Sequence, residues 1–407
     1  MTYSTDILIV GAGQGGVQVA MSLRQGNFDG SITIIGDEPD APYERPPLSK
    51  DYLSGEKTVE QLALRKPDFW HQHGIALCLG QRVNHINADS HSATTDQGSI
   101  YYYKKLVWAA GGFARPLPVP GSDLAGLHVI RTRQQVDLLL SEAETAQHIV
   151  IVGGGYIGLE AAAVMIKQGK KVTLLEVEDR VLARVAGKEI SAFYEAEHRS
   201  QGVNIRTGTG VASLAGENGR VKSVVLQDGE KIDADLVIAG IGLVPNYEIL
   251  KAAGAKCSNG VEVDELCRTS LPDIFSVGDC ACHANSFAGD TYLRIESVPN
   301  AVGQARAAAS AILGAPKPYK DVPWFWSNQY DLKLQTAGLN HGYDETLSRG
   351  DPDSRSFSLI YLRGGRVIAV DTVNRMKDFI AGKKLVEQAM IVDRKQLLGT
   401  EKLLDVV

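Results

Sequence analysis

The sequence predicts an α/β chain built on a strand–turn–helix–strand unit that occurs twice, followed by a small α+β tail. Three observations carry that expectation. A short β-branched run feeds a glycine-rich turn and then a helical stretch, and the same order returns about one domain length later. Each unit continues into a second β-branched run that leads to an acid. Proline-rich breaks follow the first unit, close the second and precede a tail of different composition.

The first unit opens at 6–10 (DILIV), turns through Gly11, Gly13, Gly15 and Gly16, and is helical as far as Arg24. Its second strand, 31–35 (SITII), runs toward Asp37, with Glu38 as the fallback acid if the strand ends one residue later. Residues 115–121 (RPLPVPG) break the chain. The second unit then begins at 148–152 (HIVIV), turns through Gly153, Gly155 and Gly158, and is helical to Gln168. Its second strand, 171–175 (KVTLL), leads to Glu176. A further strand at 235–239 runs into 240–246 (GIGLVPN), which closes the unit. The break at 315–323 (APKPYKDVP) introduces the tail, in which Trp324 and Trp326 precede β-type runs at 357–362 and 366–370.

The chemistry of such a turn is specific. The first glycine permits the tight bend, the second lets backbone approach a diphosphate, and the third lets helix and strand pack closely. The helix start offers unpaired N–H groups and partial positive charge, and the acid takes ribose hydroxyls. Two copies, each with its acid, point to two Rossmann-like domains and two dinucleotides. The pair that makes a useful relay is a flavin and a nicotinamide.

Composition bounds the alternatives. The 407 residues are 44% hydrophobic and 22% charged, which suits a folded chain with a sizeable core. The net charge of −6, without blocks of Lys or Arg, argues against nucleic acid or an anionic membrane as partner. Five scattered cysteines suggest a reducing compartment, and the start of the chain makes a poor signal peptide, so a cytoplasmic enzyme is expected.

Further motifs narrow the reading. Residues 42–50 read PYERPPLSK, 273–279 DIFSVGD, 294–301 RIESVPNA and 323–329 PWFWSNQ. With the two glycine turns, and in this order along the whole chain, they resemble the oxygenase-coupled NADH–ferredoxin reductases, of the putidaredoxin reductase and biphenyl dioxygenase reductase type. These are glutathione-reductase-like flavoproteins. The resemblance implies an FAD domain at 1–112 and 245–322, an inserted NAD domain at 113–244 and a C-terminal α+β domain at 323–407. It implies FAD contacts from Gly11, Gly13, Gly15, Gly16, Asp37, Arg45, Lys50, Val83, Arg115, Arg131, Asp279, Val298 and Trp326. It implies NAD contacts from Gly153, Gly155, Ile157, Gly158, Glu176, Arg184 and Gly242. NADH is expected over NADPH, because the Glu176 carboxylate would repel a 2′-phosphate, although Arg180 and Arg184 lie close in sequence.

The resemblance also implies that Lys50 and Glu160 meet beside the flavin, where a cation stabilises charge on the reduced ring and a carboxylate keeps that cation charged. Hydride passage needs no acid or base, so their role is electrostatic and orienting. The implied activity is hydride uptake from NADH and single-electron delivery to a [2Fe–2S] ferredoxin that feeds an oxygenase, a Rieske dioxygenase or a cytochrome P450 in aromatic hydrocarbon catabolism. A monomer or weak homodimer is expected. Arg294, Arg306, Lys317 and Lys320 are candidates for a basic docking patch.

Other readings stay open: a monodehydroascorbate-reductase-like enzyme, an NADH oxidase or disulfide reductase, and an NADH-sensing protein like apoptosis-inducing factor. Residues 38–60 lack the cysteines a disulfide reductase would need. Cys280-Ala281-Cys282-His283 is too tightly spaced for zinc, and His71 and His73 read as a solvated helix face, so no metal is expected. The family's Ala-Thr-Gly is here Ala109-Ala110-Gly111, which removes a hydroxyl at Ala110.

Overall fold

A computed structural model describes residues 1–399 and Leu403. The chain forms two compact units. One comprises Met1–Glu44, Leu62–Phe113 and Val244–Phe325, and the other Arg45–Gln61, Ala114–Leu243 and Trp326–Val407.

The first unit is organised by a mixed sheet. Strands Ile75–Cys78, Ile32–Ile35, Thr2–Val10 and Ile100–Trp108 lie side by side in parallel, and Ile274–Ser276 also pairs with Ile100–Trp108. Ser92–Thr95 and Val83–Asn87 continue the sheet antiparallel. Ile7, Leu8, Ile9 and Val10 are all buried, as a parallel strand covered on both faces requires. Helix Gln14–Gln25 packs Val17, Val19, Ala20 and Leu23 into the core shared with Ala305, Ala307, Ala308 and Ala309 of helix Val298–Ile312. These small residues let the two helix backbones approach closely. The first strand begins four residues before the apolar run, because Thr2–Thr5 pair with Ile100–Tyr103. That extension is polar and carries no hydrophobic signal of its own.

The second unit repeats the arrangement. Its parallel sheet runs Asn204–Arg206, Lys171–Leu175, His148–Val152, Leu236–Ala239, Leu127–His128. Helix Tyr156–Lys167 follows the central strand and buries Leu159, Ala161, Ala162, Ala163 and Met165. A three-stranded antiparallel sheet, Val211–Glu217, Arg220–Leu226 and Lys231–Asp233, adds to it. The tail forms a five-stranded sheet in the order Trp324–Gln329, Leu332–Gly338, Arg366–Val373, Ser356–Arg363, Glu345–Asp351, with helix Met376–Glu387 packed against it through Gly382 and Val370. Two of its strands are longer than their apolar runs, and Gly364 and Gly365, both at positive φ, make the tight turn between them. The fold class expected from the sequence, two Rossmann-like units and a small α+β tail, is therefore the one observed.

Candidate functional site

Each unit carries one glycine turn, and the two are built alike. Gly11 and Gly153 leave their strands at φ +116° and +110°, a left-handed conformation that glycine alone adopts readily. Their amides donate to Ile35 O and Leu175 O at 2.8 Å. A Cβ on Gly16 would lie 2.1 Å from Gly11 O, and one on Gly158 2.0 Å from Gly153 O, so both helix starts press directly on the turn. The caps, Gly13 and Gly155, make no side-chain cap, and neither first turn contains an acid. The leading N–H groups thus keep their positive end uncompensated. A Cβ on Gly13 or Gly155 would meet nothing within 4 Å, so open space lies in front of each helix. That cradle fits a diphosphate, and hence a dinucleotide, at both turns.

The acids differ between the copies. Strand register aligns Val10 with Ile35 and Val152 with Leu175, so Gly36, not Asp37, occupies the place of Glu176. The exchange is reciprocal. A Cβ on Gly36 would meet the Ala12 side chain at 2.7 Å, whereas Glu176 packs over Gly154. Glu176 Oε2 accepts from Gly154 N–H at 2.6 Å and Oε1 from Glu178 N–H at 2.9 Å. Asp37 is exposed one step beyond, and Glu38 Oε2 accepts from Tyr43 OH at 2.5 Å. Arg180 turns inward onto Ala183 O, Ala186 O and Ser191 Oγ, while Arg184 and Ile157 are exposed.

The second unit brings Lys50 and Glu160 together. Lys50 Nζ lies 2.7 Å from Glu160 Oε2, and the two side chains are 12% and 2% exposed. The Lys follows the short 3-10 turn Pro46–Ser49, and the Glu lies one turn into helix Tyr156–Lys167, the helix that starts at the glycine cap. Ser49 Oγ donates to Glu160 Oε2 at 2.5 Å and Ser327 Oγ to Oε1 at 2.6 Å. Burial and three donors leave the carboxylate a single orientation. Arg45 Nη1 donates to Arg131 O at 2.8 Å, so those two residues also meet. Arg115 is exposed and its amide donates to Gly242 O at 2.9 Å; Gly242 itself is at φ +112°. Trp326 is half-buried.

In the first unit, Asp279 sits half-buried in a 3-10 turn after Gly278, whose φ is +80°. Gly278 N–H donates to Gln304 Oε1 at 2.7 Å, which ties the turn to helix Val298–Ile312, where Val298 is the first residue. Val83 is buried at the start of its strand. At Ala110, Asn246 Nδ2 donates to the backbone Ala110 O at 2.9 Å, and Asn246 O accepts from Trp108 Nε1 at 2.7 Å. Arg294 is an unsuitable member of an open basic patch, since its side chain is 8% exposed and paired with Glu296. Arg306, Lys317 and Lys320 are exposed.

The cysteines are all free thiols. Burial pushes the Cys280 thiol up to about 11, and Cys267 and Cys282 upward as well. Such thiols are poor nucleophiles. Among the described residues no group of three or more His, Cys, Asp or Glu is arranged to hold a metal, and no helix is long and apolar enough to cross a membrane. His71 and His73 are exposed, with His73 stacked on Phe69.

Sequence reasoning missed Ser49, Ser327 and Gln304. Two of them stood inside motifs already singled out. Ser49 precedes Lys50, and Ser327 with Gln329 forms the i, i+2 inner face of a strand whose outer face carries Asn328.

A model of the pyridine nucleotide-disulphide oxidoreductases matches residues 5–305, and one described as reductase C-terminal matches residues 324–405. The chain is 53% identical over 397 residues to the 5,5'-dehydrodivanillate O-demethylase ferredoxin reductase subunit of a Sphingobium species, covering 97% of this chain and 96% of that protein. It is 42% identical to putidaredoxin reductase of Pseudomonas putida, covering 98% of this chain and 96% of that one. The crystal structure of the covalent putidaredoxin reductase–putidaredoxin complex superposes with a TM-score of 0.94 at 42% identity, covering 98% of this chain and 96% of the other.

Proposed function

The chain belongs to the pyridine nucleotide-disulphide oxidoreductase family, and from that premise we propose that it is an FAD-dependent NADH:ferredoxin oxidoreductase serving an oxygenase. The observation that carries the reading is the pair of uncapped glycine turns, one per compact unit, each facing open space. Relatives named as ferredoxin reductases of oxygenase systems, covering nearly the whole chain, support the acceptor class.

We assign FAD to the turn at Gly11, Gly13, Gly15 and Gly16, with Asp37, Val83, Asp279 and Val298 as further contacts. The nicotinamide dinucleotide goes to Gly153, Gly155, Ile157 and Gly158, with Arg184 and Gly242 as further contacts. Glu176 takes its ribose hydroxyls. Arg45, Lys50, Arg115, Arg131 and Trp326 complete the cofactor contacts. The corresponding domains are 1–112 with 245–322, 113–244 and 323–407. Bound FAD would supply the chemistry of taking electrons in pairs from the nicotinamide and giving them up singly.

The protein's own contribution is positioning and charge. The helix starts receive the diphosphates. Lys50 presents an ammonium to developing negative charge, and Glu160 holds that ammonium in one place by a 2.7 Å contact. Glu176 disfavours a 2′-phosphate, and the inward turn of Arg180 supports NADH as donor, because that guanidinium is engaged by three oxygens of its own loop. The acceptor would be a [2Fe–2S] ferredoxin and the enzyme a cytoplasmic monomer or weak homodimer. Buried thiols of raised pKa speak against the disulfide reductase alternative.

The test is anaerobic reduction of the yellow purified protein by NADH and by NADPH, followed by cytochrome c reduction with and without ferredoxin. Flavin bleaching by NADH and ferredoxin-dependent cytochrome reduction are expected. A colourless protein that takes up no flavin, or cytochrome reduction indifferent to ferredoxin, would overturn the proposal.

A further inference from the structure

Behind Glu160 the second unit contains a continuous line of buried polar side chains that the proposed reaction does not itself use. Ser327 Oγ donates to Glu160 Oε1 at 2.6 Å, and Gln329 Nε2 donates to Ser327 Oγ at 3.1 Å. Gln329 Oε1 lies 2.8 Å from His198 Nε2, and His198 Nδ1 lies 3.0 Å from Tyr330 OH. Glu160, Ser327, Gln329 and His198 are at most 2% exposed. They come from three elements: helix Tyr156–Lys167, strand Trp324–Gln329 and helix Lys188–Ser200.

Elementary hydrogen-bond accounting orders every proton in that line. As the ion-pair partner of Lys50, the Glu160 carboxylate can only accept. Ser327 has one proton and must give it to Glu160, so it must accept from an N–H of Gln329. The Gln329 carbonyl is thereby turned toward His198, which must carry its proton on Nε2. Nδ1 is left bare and takes the Tyr330 hydroxyl proton. The imidazole suits that neutral role, because burial pushes His198 down to about 4. Tyr330 makes its contact from a φ of +56°, a left-handed conformation that a bulky aromatic residue adopts at a cost, in the turn between Gln329 and Leu332.

We propose that Ser327, Gln329 and His198 form a positioning relay that aims the Glu160 carboxylate at Lys50. The assignment rests on the oxidoreductase reading for its kinetic consequence alone; the orientation of Glu160 is a property of the protein by itself. None of the three is a catalytic residue. Ser327 acts through Glu160, and Gln329 and His198 act through Ser327 by fixing which way its hydroxyl points. The tail thus contributes a hydrogen bond to the ion pair and not only packing.

Infrared spectroscopy of the purified flavoprotein, without NADH or acceptor, tests the orientation. The Glu160 carboxylate bands are identified by their loss in E160Q. Ser327→Ala should shift those bands, because one oxygen loses its donor, and Ser327→Thr should restore them. Gln329→Leu should give a smaller shift in the same direction. In stopped-flow reduction by NADH, S327A should lower the limiting rate about tenfold with KM changed less than twofold, and S327T should recover to within twofold. Unchanged bands in S327A would overturn the relay, and so would bands that shift in S327A but are not restored by S327T. Shifted and restored bands with no flavin reduction by NADH would leave the relay standing and refute the oxidoreductase reading instead.

Discussion

Removing the Lys50 cation alone from the buried ion pair should cost more than removing both members. In Lys50→Met, Glu160 remains 2% exposed with no opposite charge, retaining the Ser49 and Ser327 hydroxyls. Stranding one charge of a buried pair costs about 3–5 kcal/mol, and the two surviving donors place this case near about 3. In Glu160→Gln the Lys50 ammonium keeps the Pro46 carbonyl at 3.3 Å and some solvent, so the loss is smaller, about 1.5 kcal/mol. The double variant removes both charges and should lose about 2 kcal/mol, mainly in packing and hydrogen bonds. The coupling is then about 2.5 kcal/mol in favour of the pair. Urea unfolding followed by tryptophan fluorescence, with all four proteins flavin-loaded at one pH, reads the cycle. Losses that add, with K50M costing less than about 1 kcal/mol, would show that the contact is no more than a surface pair and refute the reasoning.

Gly158→Ala should abolish NADH binding while the protein stays yellow, since its Cβ would lie 2.0 Å from Gly153 O in the second unit only; absorbance at the flavin band with NADH equilibrium dialysis distinguishes the two losses. Glu176→Ser should narrow the preference for NADH over NADPH by about tenfold, equivalent to about 1.4 kcal/mol, measured as the ratio of the two kcat/KM values; an unaltered ratio would remove Glu176 from the specificity assignment. His198, pushed down to about 4 from 6.5 by burial, contributes stability that is complete above pH 6.5 and is lost as the pH falls toward about 4, because the unfolded chain takes the proton first. The loss is about 3 kcal/mol, and urea midpoints of wild type and His198→Gln should converge as the pH falls through that window. Asp371 works in the opposite sense. Burial raises it to about 6, so its contribution is present below 3.8 and lost as the pH rises through 6, and Asp371→Asn should flatten that side of the profile.

The strands 148–152 and 171–175 were legible to the residue, because a parallel strand buried on both faces is nearly all apolar; only the leading His148 and Lys171 and the buried Thr173 depart from that. The polar start of the first strand was not, since Thr2–Thr5 are strand only through their pairing with Ile100–Tyr103. The glycine turns were legible because a left-handed turn pressed by a helix start excludes every other side chain. The acid of the first copy was less so. Its counterpart of Glu176 is Gly36, and only strand register reveals that Ala12 and Gly36 have exchanged bulk with Gly154 and Glu176. Arg294 looked like an open cation in sequence and is tied to Glu296 in space.

By itself, then, the chain's order of residues determined what local sterics and periodicity can encode: two sheets with parallel cores, two phosphate-ready helix starts and a β-rich tail. The tertiary structure alone decided which polar groups meet. Ser49 and Glu160 are 111 positions apart, and Ser327 lies 167 positions from the same carboxylate. No local pattern records such distances, because a hydroxyl acquires its partner only when packing has excluded the water that would otherwise satisfy it.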